Sequence, residues 1–230
     1  MSIKEKGALT ATRPTRGGQT RQTILQTAVD VASEEGLEGL TIGRLATELG
    51  MSKSGLFAHF GSKEELQLAT VEAAREVFIR NVITPAFASE RGLARLWKLC
   101  EVWLDYAHKN VFRGGCFFIA ASAEFDGRPG PVRERVAEIM REWLATLERT
   151  IGEAQGAGQL DRGMDPSQLA FEINALHMGA NWAFQLYGDD AIFKRAREAV
   201  LARLRGVSAP DHAVVVFSPT RHGKPKVVNG

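Results

Sequence analysis

Residues 41–66, TIGRLATELGMSKSGLFAHFGSKEEL, start three helices in quick succession, and no other stretch constrains the fold as tightly. Thr41 is a good N-cap for a short helix with the apolar face Ile42, Leu45, Ala46 and Leu49. Gly50-Met51 breaks that pattern. Ser52 caps a second short helix that carries Leu56 and Phe60, and Gly61 stops it. Ser62 and Glu65 then form an S-x-x-E capping box at the head of a long helix, expected from Lys63 to Val82 with Pro85 closing it. Ahead of these, helical periodicity begins near Thr20. Ile24, Ala28, Val31 and Ala32 share one face, and Gly36 ends the helix.

Two short helices joined by a glycine turn have the spacing of a helix-turn-helix, whose second helix enters the DNA major groove. The same geometry occurs in bundles with no DNA role, so the side chains must decide. Ser52, Lys53, Ser54 and His59 offer donors from the second short helix, and Thr41 and Lys63 open its neighbours. Helix N-termini with free amides suit a phosphate backbone. Gly55 sits inside the second helix, where glycine costs about 0.5–1 kcal/mol relative to alanine. A bare backbone at that point reads as clearance for a duplex.

The segment LTIGRLATELGMSKSGLFAHFGSKEEL resembles the DNA-binding segment of TetR/AcrR-family transcriptional regulators. The matching positions are Thr41, Leu45-Ala46, Gly50, Ser52, Gly55, Leu56, Phe57, His59-Phe60 and Ser62 to Leu66. The match covers about residues 20–70; beyond it the likeness rests on length and helix count. The resemblance implies that Thr41, Ser52, His59 and Lys63 hold phosphates and that Lys53, Ser54 and Gly55 lie nearest the base edges. Leu45, Leu49, Leu56 and Phe60 would be core. Phe57 departs from the family's usual tyrosine and has no hydroxyl for a phosphate, which leaves it a thymine methyl or packing.

The chain has 230 residues and a formal net charge of +2, so bulk charge does not announce a nucleic-acid binder. Its distribution says more: residues 1–21 hold Lys4, Lys6, Arg13, Arg16 and Arg21 against Glu5 alone. Residues 1–19 are expected to form a disordered basic arm. Two cysteines without CxxC spacing point to a reducing compartment. No apolar run spans a bilayer and no signal-peptide core is present, so a cytoplasmic location is expected, with no membrane partner. The five histidines show no metal spacing, and no HExxH, GxSxG, P-loop or GxGxxG stands in its required setting. The expectation is a non-enzyme with no cofactor and no metal.

The rest of the chain also reads as helical, giving an all-α protein. The helix-turn-helix unit is expected over residues 20–66; the resemblance implies that the helical residues 67–206 form an effector-binding and dimerisation domain; residues 207–230 are expected to be a flexible tail, where residues 213–217 have strand character without a partner. The helix after Pro166 carries two apolar stripes. One holds Leu169, Ile173, Leu176, Ala180 and Phe184; the other holds Phe171, Ala175, Met178, Trp182 and Leu186. A helix apolar on two faces is buried on two sides. The second stripe belongs either to a homodimer interface or to the centre of a monomeric bundle.

The resemblance further implies a pocket between helices for a small, mainly apolar effector. Trp97, Trp103, Phe117, Phe118, Phe125, Trp143, His177 and Asn181 are the candidates to line it, and each is equally an ordinary core residue. The whole predicts a regulator that binds a palindromic operator as a homodimer, repressing until its effector releases it. The alternative is a helical dimerisation or interaction protein without ligand response.

Overall fold

The structure, a computed structural model, describes residues 16–209. Ten α-helices and one π turn occupy that range: α1 (Arg16–Glu35), α2 (Ile42–Leu49), α3 (Lys53–Phe60), α4 (Lys63–Phe78), a π turn (Ile79–Ile83), α5 (Thr84–Phe87), α6 (Leu93–His108), α7 (Phe117–Phe125), α8 (Pro131–Gly156), α9 (Pro166–Tyr187) and α10 (Ala191–Val207). Among the described residues there is no strand, only an isolated bridge between Leu160 and Ser208 that ties the end of α10 to the loop before α9. The helix expected from Thr20 begins at Arg16, so residues 16–19 belong to α1 and not to a disordered arm. The remainder of that arm, and the tail from residue 210 with its Ala213–Phe217 segment, lie outside the described residues.

The caps read from sequence form as local chemistry dictates. The hydroxyls of Thr41, Ser52 and Ser62 accept from the backbone N–H groups of Arg44, Gly55 and Glu65 at 3.0, 3.1 and 3.1 Å. Gly50 ends α2 in the left-handed region, at φ 61°. Leu45, Leu56 and Phe60 are buried between α1, α2, α3 and α4, whereas Leu49 is only half-buried at the rim.

Pro85 does not close the long helix, as the sequence suggested. The chain passes through a five-residue π turn in which the Thr84 N–H bonds the Ile79 carbonyl, five residues back. Pro85 has no N–H for the i−4 pairing of an α-helix. A local switch to wider pairing carries the rod past it, and such π segments concentrate at functional sites.

The body is built on α8 and α9, with α6, α7 and α10 packed around them. α9 is asymmetric. Leu169, Ile173 and Ala180 are buried, while Phe171, Trp182, Leu186 and Tyr187 stand 58–64% exposed on the opposite side. A central helix of a monomeric bundle would hide both stripes.

A clamp joins the N-terminal helices to the body. The Glu124 carboxylate, on α7, accepts from the backbone N–H groups of Leu37 and Glu38 at 2.8 and 2.9 Å. Gly36, at φ 84°, makes the turn that aims those amides at α7, and a Cβ there would lie 2.9 Å from Glu124 Oε1. Beside it, the Gly114 N–H donates to the Ser33 hydroxyl at 3.2 Å, with the two backbones in direct contact. Behind α7, the Asn181 side chain on α9 accepts from the Cys116 N–H at 2.9 Å. Polar bonds therefore run from α9 through α7 to the α1–α2 turn.

Candidate nucleic-acid interface and effector cavity

α3 divides cleanly. Leu56 and Phe60 face inward, while Lys53, Ser54, Phe57 and Ala58 are exposed on the outer side. The exposed set follows helical spacing i, i+1, i+4, i+5, which is one face. Ser54 places its hydroxyl 3.3 Å from that of Ser52. Phe57 is 52% exposed, so packing within the chain does not account for it. Ala58, which no motif marks, has a small side chain that leaves the end of this face open. Gly43 on α2 is likewise unmarked in the sequence, and the Lys53 chain lies over it: a Cβ at Gly43 would meet Lys53 Cε at 3.5 Å.

A Cβ at Gly55 would stand 3.0 Å from the Ser52 hydroxyl that caps the helix. Glycine therefore relieves a local crowding besides leaving bare backbone outward. Thr41 is exposed and His59 half-buried, both on the N-terminal unit.

Lys63, at the first turn of α4, is not idle. Its ammonium donates to Glu38 Oε1 at 2.7 Å and holds the Glu38 carboxyl below the ordinary carboxylate range, with Gln67 assisting. Both side chains are about two-fifths exposed. An ammonium has three N–H donors, so one bond to Glu38 leaves donors for an incoming phosphate. Glu38 is a residue that no local motif signals. It reaches the site because Glu124 fixes its backbone from the body.

In the body, Trp103, Phe118 and Trp143 come together with Phe78, Ile119, Ile139, Met140, Cys116 and Asn174 around a narrow cleft of about 20 Å³, room for one water. Phe78, Ile139 and Trp143 also wall a larger groove of about 220 Å³ between the π turn and α8, so cleft and groove are neighbours. Trp97, Phe117 and Phe125 do not line either space; Phe117 and Phe125 are buried in the core and Trp97 packs half-buried at its edge. Asn181 is spent on the Cys116 amide.

His177 lies flat on Trp103, with ring centroids 4.4 Å apart and planes 4° apart, and with Trp143 at 6.3 Å. It is fully buried, and neither ring nitrogen has a partner among the described residues. Burial pushes its pKa down to about 3, so the ring is neutral at ordinary pH. Burial also raises the thiol pKa of Cys100 and Cys116, which keeps both protonated and unreactive. No group of three His, Cys, Asp or Glu among the described residues is placed to hold a metal, and no described helix is long and apolar enough to cross a membrane.

Comparison with known proteins follows the same division of the chain. A family model described as "Bacterial regulatory proteins, tetR family" matches residues 24–70, and one described as "Tetracyclin repressor-like, C-terminal domain" matches residues 92–200. The nucleoid occlusion factor SlmA of Marinobacter nauticus is 26% identical over 162 residues, 70% of this chain and 77% of that protein. The match to SlmA of Haemophilus influenzae spans only 43% of that protein. A TetR transcriptional regulator from Chloroflexus aurantiacus superposes with a TM-score of 0.78 at 24% identity, covering 84% of this chain and 98% of that one. AibR, solved in complex with isovaleryl coenzyme A and operator DNA, superposes with a TM-score of 0.65 at 22% identity over 78% of this chain and 95% of its own. Identities at this level speak for the fold.

Proposed function

The chain belongs to the TetR family of bacterial regulatory proteins, and from that premise we propose that it represses transcription as a homodimer that binds a two-fold symmetric operator and leaves it when a small effector occupies the body. The exposed outer face of α3 carries this reading: Lys53, Ser54, Phe57 and Ala58 stand outward beside the capped starts of α2, α3 and α4. Small residues admit the helix to the groove, and amides and cations at its flanks hold phosphates.

Two copies must present their α3 helices one duplex turn apart, about 34 Å. The α9 stripe of Phe171, Ala175, Met178, Trp182 and Leu186 supports the pairing, because three of its large side chains are left in water by the single chain. Trp182→Glu introduces two charges per dimer into that patch. At about 2 kcal/mol for each hot-spot aromatic, the dimer dissociation constant rises roughly a thousandfold. Sedimentation should find monomer at micromolar concentration; an intact dimer would move the interface off this stripe.

Release requires that effector and operator prefer different arrangements of the dimer. The clamp through Asn181, Cys116, Glu124 and Glu38 supports such coupling, since it joins the helix of the pairing stripe to the lysine at the start of α4. The governing experiment is selection of bound duplexes from a random pool. It should return a palindromic site, and failure to enrich any sequence sinks the proposal. On that site, Lys63→Ala should weaken binding to all duplexes and flatten the slope of log affinity against log salt by about 1 per subunit. An unchanged slope would remove Lys63 from the phosphate contacts.

A further inference from the structure

The groove beside the π turn has a chemical polarity of its own. Its floor is apolar, made by Phe78, Ile139 and Trp143, and Ile79 and Ile83 of the π turn form one wall. Charge stands only at its mouth, as Arg75, Glu142 and Arg149. Two of these are already committed to each other: Arg75 donates through both Nε and Nη2 to Glu142 Oε2, at 3.1 and 2.8 Å. Arg149 has no carboxylate partner among the described residues. Its guanidinium sits 5.9 Å from the ring centre of Phe87, which also lines the groove. An exposed, unpaired cation beside an apolar slot, with the neighbouring carboxylate already bonded through one oxygen to Arg75, favours an anion over a cation at the mouth.

We infer that the effector is a small carboxylate with a short apolar body, seated with its carboxylate on Arg149 and its body against Phe78, Ile139 and Trp143. This rests on the effector-released reading given above and specifies its ligand class. The volume of about 220 Å³ lies below the usual range for drug-sized ligands, roughly 300–1,000 Å³, which selects a molecule of modest size. The π turn makes the groove a site of leverage. It is the wall that directly continues α4, whose first residue is Lys63, so a ligand that widens the groove acts on the rod that carries the phosphate-binding lysine.

The test uses three probes of equal length, octanoate, octan-1-ol and octylammonium, titrated into the full-length protein by calorimetry. Octanoate should bind about tenfold tighter than either of the others, the effect of one charge-assisted hydrogen-bonded contact. In Arg149→Gln, octanoate should fall to the affinity of octan-1-ol, and octan-1-ol should be unchanged. Thr146→Trp, which fills the groove from its rim, should abolish binding of all three while the protein still melts cooperatively. If octanoate shows no preference, or keeps it in Arg149→Gln, the ligand class is wrong and the effector reading stands. If none of the probes binds, or binding survives Thr146→Trp, the groove is not the effector site and this inference falls; the effector reading is judged separately, by whether any ligand lowers affinity for the selected operator.

Discussion

Gly114→Ala should cost the protein about 3 kcal/mol, at the upper end for overpacking, and should be seen as a lowered urea midpoint. Glycine at 114 is required by space and not by dihedral angle. A Cβ built there lies 1.7 Å from the Ser33 carbonyl oxygen, 2.4 Å from its carbon and 3.0 Å from the Glu34 nitrogen. These are backbone atoms of the last turn of α1, so no side chain can swing aside to make room. Relief requires the whole loop to retreat. That retreat breaks the Gly114–Ser33 hydrogen bond and strains the adjacent Glu124 bonds to Leu37 and Glu38. Gly127→Ala is the control, since nothing lies within 4 Å of its Cβ position, and it should stay within about 0.5 kcal/mol of the parent. Equal midpoints for the two variants would refute the close approach of α1 and the loop before α7.

The same contact marks where reading the sequence stops. Thr41, Ser52 and Ser62 were legible because a cap and its target lie three residues apart, and the apolar spacing of α1, α8 and α9 follows from one helix at a time. Pro85 misled because its missing N–H breaks one α-helical bond, while the chain answers with a π turn whose pairing no residue type announces. The second stripe of α9 was legible as apolar, but only the packing of the other helices leaves it uncovered. The bonds of Glu124, Gly114 and Asn181 were not legible, although Asn181 stood among the cavity candidates. Their partners are 65 to 87 residues away, and a glutamate on a short helix looks the same whether it meets water or two backbone amides. The candidate cavity shows the same limit. The resemblance implied a pocket with eight candidate lining residues, yet the fold brings three of them to the cleft and turns His177 flat against the back of Trp103.

Ser54→Arg should lower affinity for the selected operator at least a hundredfold while leaving the fold and the dimer intact. Ser54 is exposed, and its side chain bonds the Ser52 hydroxyl at 3.3 Å, so the substitution empties no core space and should shift stability by less than about 0.5 kcal/mol. What it adds is a long side chain at the start of α3, beside Lys53 and Gly55, on the face that carries the recognition reading. If that face enters the major groove, the arginine holds it away. Base-edge contacts worth about 1–3 kcal/mol each are lost together, and a hundredfold is about 2.7 kcal/mol. The added charge acts in the opposite sense on phosphates, so affinity for random duplex at low salt should hold or rise. Operator affinity thus falls while random-duplex affinity does not, which a merely unfolded or monomeric variant cannot produce. Retention of the operator preference in Ser54→Arg would place the recognition surface on some element other than α3.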